Sequence, residues 1–344
     1  MNTCHQQRGG TQRQRGFTLV EFMVAMLLGT ILIGGAVAIY LASNRSYQET
    51  ERSIAMLDSG RFSLQLITDS LRHAGFFGGV PAGAITQDTA LGALADDCSG
   101  SAAAYDINNY LFAVVADGSG NAVACIDDAR PGTDVLVIKY MLPDPLSDTE
   151  DPNAPGDGVI SWPTGLDAGQ TYIVANANAG LLMDGADTPP NVGDGQEYAR
   201  GMAWPYMFQA FYVRQPDNAV EEFRLASKTL RLDGASMNVV TEDLAEGVED
   251  LRVRFRYDSD GDGEVDTTGY AEDLAAADWA NVGSVEVFML VRSQEQDFNY
   301  DNEKAYVLGD RAPVGSTDDS FWRMLVTRYV ALRNPNLVIQ AGGA

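Results

Sequence analysis

Histidine is almost missing from this chain: two residues in 344, His5 near the start and His73 well inside. Neither a histidine-built metal centre nor a nucleophile–histidine triad can be assembled in the body from one isolated imidazole. Cysteine is nearly as scarce, with Cys4 in the opening stretch and only Cys98 and Cys125 left for the body. Basic residues are the third shortage. Against 48 Asp and Glu stand 23 Lys and Arg, a formal charge of −25. A body of that sign repels nucleic acid and anionic lipid surfaces, so nucleic acid is not an expected partner. It suits a domain outside the cytoplasm, where divalent cations are available. The composition, 45% hydrophobic and 21% charged, is that of a folded chain, long enough for one large domain or two small ones with appendages.

Charge is also missing from one long run. Between Phe17 and Leu41 the only charged residue is Glu21, while the residues ahead of it carry Arg8, Arg13 and Arg15 and no acid. As a helix this run spans about 37 Å, enough to cross a bilayer. A cleavable secretory signal needs a shorter apolar core, and Ala36-Val37-Ala38 supplies only a loose cleavage site. An uncleaved anchor fits the length and places Arg13 and Arg15 on the cytoplasmic side. It leaves Glu21 unexplained, because a carboxylate near the bilayer centre costs about 2.5–3.5 kcal/mol on insertion scales.

A third reading covers every part. Arg15-Gly16-Phe17-Thr18-Leu19-Val20-Glu21, followed by a long apolar helix, resembles the class III signal of type IV prepilins. The resemblance implies that a prepilin peptidase cuts between Gly16 and Phe17 on the cytoplasmic side and methylates the new terminus. The apolar helix is then retained, and Glu21 becomes the fifth residue, the position of the family's characteristic glutamate. A buried carboxylate that meets the freed amine of a neighbouring subunit offsets its own burial and fixes axial register. Gly29, Gly34 and Gly35 interrupt the run, each weakening a helix by about 1 kcal/mol relative to Ala. They serve either close helix packing or local loosening of the helix in a filament.

Beyond Leu41 the pattern becomes amphipathic without a proline. Ile54, Leu57, Leu64, Ile67 and Leu71 recur at helical steps, and Gly75 stands just past the last of them. The spacing predicts one helix of over fifty residues, 17–42 for the membrane and 43–75 for a globular body at 76–344. Cys98 and Cys125 in an exported domain read as a disulfide, contributing roughly 3 kcal/mol by loop entropy. Within the body, 80–200 reads as an elaborated, loop-rich region whose clearest strands are 133–142 and 170–177. Residues 201–334 read as a β-sheet module, with 207–214, 222–227, 251–257, 284–293 and 321–334 as strands. Residues 240–251 read as a short helix. The expected class is α+β, the long helix packed across one antiparallel sheet. No base stands beside a candidate nucleophile, so enzymatic activity is not expected.

The stretch DSDGDGEVD (258–266) sets Asp258, Asp260, Asp262 and Asp266 at positions one, three, five and nine of an EF-hand-type loop. Gly263 falls at the turn, and Glu264 offers its backbone carbonyl. Gly269 occupies the twelfth position, where a bidentate glutamate belongs, and Glu272 or Asp273 is the nearest substitute. The alternatives are a structural Ca²⁺ site and a solvated acidic turn. The C-terminal half, GVEDLRVRFRYDSDGDGEVD with DWANVGSVEVFMLVRS and TRYVALRN, resembles minor pilins of the PilW type, as does the AGF that ends the helix. What that implies is a single-pass inner-membrane protein with a periplasmic body in a Gram-negative bacterium, later built into the extracellular pilus. Implied partners are other minor pilins, the major pilin, a tip adhesin and the prepilin peptidase. Priming of assembly, the tip complex, twitching motility and adhesion are the implied functions. The alternatives are a J-type pseudopilin of a type II secretion system and a membrane-anchored, Ca²⁺-dependent periplasmic binding module.

Overall fold

The computed structural model describes residues 16–216, 222–234, 236–311 and 319–340. The basic leader up to residue 15, with Cys4, His5 and its three arginines, lies outside them. The chain divides into two compact units, 1–54 and 55–344, and the division falls inside the first helix, α1 (Leu19–His73).

In the first unit the described residues are nearly all exposed, Leu27, Leu32 and Ile39 among them. α1 holds an 18-residue window of mean hydropathy 2.4, none of it buried, and is long and apolar enough to cross a membrane.

In the second unit the end of α1 buries one stripe: Met56, Gly60, Leu64, Ile67 and Leu71. The expected stripe began two residues earlier. Ile54 is instead 53% exposed and Leu57 half-buried. Gly60 sets the register, because a Cβ there would lie 3.2 Å from a Val291 methyl and 3.4 Å from Val326. The helix settles on strands where its smallest residue permits approach. Gly75, at φ +69°, ends it as expected, a conformation that costs a glycine nothing.

Eight strands form the larger sheet: β1 (Ile85–Gln87), β2 (Leu111–Val115), β3 (Asp134–Met141), β4 (Thr171–Ala175), β5 (Gly180–Asp184), β6 (Met202–Arg214), β7 (Arg224–Asp233) and β8 (Ser236–Glu246). Their order is β1-β5-β4-β6-β3-β2, with β7 on β6 and β8 on β7. Pairing is antiparallel except between β1 and β5. The second sheet is antiparallel throughout, in the order β10-β9-β11-β12: β9 (Val248–Tyr257), β10 (Thr267–Tyr270), β11 (Val282–Arg292) and β12 (Arg323–Ala331). A helix α2 (Arg333–Gln340) follows.

The α1 stripe packs into a core shared by both sheets, with Leu251, Val253, Val287 and Met289 from one and Leu136, Ile138 and Phe211 from the other. Alternate residues of β3 (Val135, Val137 and Met141) face a second core behind the large sheet. A strand covered on both faces reads as an unbroken apolar run, and 133–142 does. Cys98 and Cys125 are disulfide-bonded, Cα atoms 4.5 Å apart, and both are buried in the second core.

The α+β class holds; three expectations about its parts do not. One antiparallel sheet was expected, and there are two, the larger mixed. Residues 80–200 are more than a loop-rich insertion, since they supply β1 to β5. β3 and β4 stand where strands were expected, but β1, β2 and β5 are three to five residues long, too short for periodicity to declare them. Residues 240–251 form no helix. They are the end of β8, Gly247, and the start of β9. Local charge spacing suits a helix, but pairing with β7 from Asp233↔Ser236 to Arg224↔Glu246 overrides it. Gly247, at φ +78°, makes the turn; its amide donates to the Phe223 carbonyl (2.9 Å) and its carbonyl accepts from the Arg292 amide (2.8 Å).

Candidate functional site

At the helix start, Gly16, Phe17 and Thr18 precede the first helical residue, and Phe17 is 89% exposed. The Gly16–Phe17 bond therefore lies outside the helix, in backbone a protease can bind extended. Thr18 is the N-cap. Its carbonyl accepts the first helical bond from the Phe22 amide (3.1 Å), and its Oγ1 accepts from the Glu21 amide (3.2 Å). In return the Thr18 amide (2.8 Å) and hydroxyl (2.9 Å) donate to Glu21 Oε2. This is a capping box, with each end satisfying the other's amide. Scission between Gly16 and Phe17 leaves all of its atoms in place, so the retained helix keeps its cap. The freed Phe17 amine would stand one residue before the Thr18 amide, which already holds the Glu21 carboxylate at the helix terminus. Thr18 was missed in the sequence, although T-x-x-E ahead of an apolar run is the signature of such a box.

The acidic loop joins β9 to β10 at one edge of the small sheet. Asp258, Asp260 and Asp262 bring one carboxylate oxygen each to within 4.8 Å of one another. Asp258 is buried, and the loop is wound around it. Its Oδ1 accepts from the amides of Gly261 (2.7 Å) and Asp260 (3.2 Å), its Oδ2 from that of Gly263 (2.9 Å). These amides, Gly263's foremost, hold the Asp258 carboxyl below the usual carboxylate range. Three of the four expected aspartates are thus gathered, and Asp266 is not: it accepts from the Thr267 hydroxyl (3.1 Å) as the chain enters β10. Neither substitute joins them. Glu272 pairs with Arg252 (2.6 Å), and Asp273 accepts from the Tyr270 amide (2.9 Å). Three aspartates make an incomplete shell for Ca²⁺, which takes six to eight oxygens. With several waters they suit a weak site.

Two family models match the sequence: the prokaryotic N-terminal methylation motif over residues 11–37, and Type IV Pilus-assembly protein W over residues 210–334. The first covers Gly16, Phe17, the capping box and the start of the apolar helix. The second runs from the end of β6 through β12 and includes the acidic loop. No curated protein matches the chain. Among solved structures, a type IV-like pilin from Thermus thermophilus is similar, at 10% identity and a TM-score of 0.32, over 82% of this chain and 97% of its own. An exposed apolar helix behind a methylation motif fits a membrane-anchored protein of the type IV pilin-like class. Over residues 210–334 the chain is similar to the type IV pilus-assembly W family.

Proposed function

We propose that this chain is cut between Gly16 and Phe17, held in the inner membrane with its body in the periplasm, and then built into a type IV pilus. Beside other minor pilins it primes assembly of the major pilin and helps display a tip adhesin, supporting twitching motility and attachment. The observation that carries the reading is the coincidence, within six residues, of the methylation motif, an exposed bond outside the helix, and the one carboxylate of the apolar run. Its chemistry serves assembly only if the charge of Glu21 matters, beyond the cap it completes.

Two substitutions separate those roles. Glu21→Ala removes cap and charge, whereas Glu21→Gln keeps a capping side chain and removes only the charge. Both variants are expected to remain in the membrane and to fall at least about tenfold in the sheared-pilus fraction, read by immunoblot, as a lost ion pair of ~1.4 kcal/mol or more requires. Wild-type recovery of Glu21→Gln in that fraction would reduce Glu21 to a cap.

We also propose that Asp258, Asp260 and Asp262 hold Ca²⁺ as a structural ion that stiffens the β9–β10 hairpin. At tenfold its Kd, the ion stabilises the fold by about 1.4 kcal/mol. Millimolar Ca²⁺ should then raise the melting temperature by roughly 3–5 °C, and Asp260→Asn with Asp262→Asn should remove the shift. An unchanged wild-type melting curve up to 10-fold higher Ca²⁺ contradicts the site.

A further inference from the structure

β12 is the outer strand of the small sheet, and no strand among the described residues pairs with its far edge. The flanking bonds from the Ser293 amide to the Trp322 carbonyl (2.8 Å) and from the Leu332 amide to the Gly283 carbonyl (2.9 Å) fix the parity of the pairing. Even-numbered residues turn their peptide groups toward β11, and odd-numbered ones turn theirs away. The Arg323 carbonyl is taken by the Tyr306 hydroxyl (3.0 Å). The peptide groups of Leu325, Thr327, Tyr329 and Ala331 have no partner among the described residues. A strand's length of backbone is therefore free to pair.

Along this edge run two adjoining hollows of 590 and 570 Å³ that share Thr68 and Arg72 of α1. Their charge is at odds with the rest of the molecule. Arg61, Arg72 and Arg328 line the first, Arg72 and Arg333 the second. Arg72 has Asp69 at 3.1 Å in a half-exposed pair, but Arg61, Arg328 and Arg333 make no ion pair with the described residues. Elsewhere in the unit, Arg214, Arg224, Arg252, Arg311 and Arg323 are each held by a carboxylate. In a chain of net charge −25, unpaired guanidiniums gathered beside an open strand edge mark a surface complementary to acid.

We propose that the β12 edge docks an extended, acidic segment of another protein, which adds a strand at Leu325–Ala331 while its carboxylates meet Arg61, Arg72 and Arg328. Main-chain bonds supply the attachment, and the arginines select the charge. The inference takes its setting from the assembly reading. Its test uses purified chain, so it can fail while processing at Gly16 succeeds.

Fluorescent seven-residue peptides alternating Val with Glu, or Val with Gln, are titrated against the full-length chain in detergent, with anisotropy as the readout. The Glu peptide is expected to bind at least about tenfold more tightly than the Gln peptide. Arg61→Glu with Arg328→Glu should abolish that preference without moving the melting curve. N-methylation of alternate peptide amides, in the register that faces β12, should abolish binding. Equal affinity for the Gln peptide overturns the charge selection, and undiminished binding of both N-methylated registers overturns strand addition. Self-association of the chain that Arg328→Glu abolishes in sedimentation would give the edge to a second copy and overturn the foreign partner.

Discussion

Arg252→Met lowers the stability of the 55–344 unit by about 3 kcal/mol, because a fully buried carboxylate loses one of its two guanidiniums and keeps only Arg311 and a backbone amide. Asp134, on β3 of the large sheet, is completely buried. Its Oδ1 meets Arg252 of β9 at 2.9 Å and Arg311 at 2.7 Å, and its Oδ2 accepts from the Val253 amide at 2.7 Å. Arg252, 1% exposed, also reaches Glu272 (2.6 Å) and Asp310 (3.0 Å) and lies over the Tyr270 ring at 4.3 Å. The group bolts one sheet to the other. A loss of this size shifts the melting temperature by roughly 10 °C for a domain of this length. Thermal unfolding followed by circular dichroism reads it directly. Asp134→Leu combined with Arg252→Met should cost less than the two single losses added, since a pair removed together leaves fewer orphaned charges. A single-variant loss under about 1 kcal/mol would show that water already reaches the group.

Cys98→Ser with Cys125→Ser costs about 3–4 kcal/mol, the loop-closure entropy of a 27-residue cross-link. The linked segment carries Ala102, Ala104 and Ile107 onto the second core, so the reduced chain also loses cover over the back of β3. Reductant should lower the melting temperature of the wild type to that of the double variant and leave the variant unmoved. A wild-type melting curve indifferent to reductant would mean that packing alone holds the segment.

How much of this was legible depended on whether the decisive contact was local. The end of α1 was readable, because Gly75 supplies a backbone conformation that only its own residue determines. The capping box is equally local: Thr18 and Glu21 stand three apart, and the T-x-x-E pattern alone suffices to declare it. The buried stripe was readable in period but not in register, since Gly60 matters only when Val291 and Val326 lie beneath it. β8 was not legible at all. Thr241–Glu246 has the charge spacing of a helix, and only β7, a separate strand, holds it extended. Arg252 looked like an ordinary outward residue of an alternating strand, alongside Arg254 and Arg256. Nothing in its neighbours announces that Asp134, over a hundred residues earlier, will cover it. In the acidic loop, Asp258, Asp260 and Asp262 converge because Gly261 and Gly263 let the backbone wrap Asp258. Asp266 is drawn off where pairing into β10 begins.

The central claim concerns one peptide bond. Intact-mass measurement of the chain recovered from its host's membranes, with sequencing of the first residues, tests it most directly. The mature polypeptide is expected to begin at an N-methylated Phe17, with residues 1–16 absent and the capping box of Thr18 and Glu21 retained. A chain that still begins at Met1, or that has been cut behind Ala38, contradicts the account.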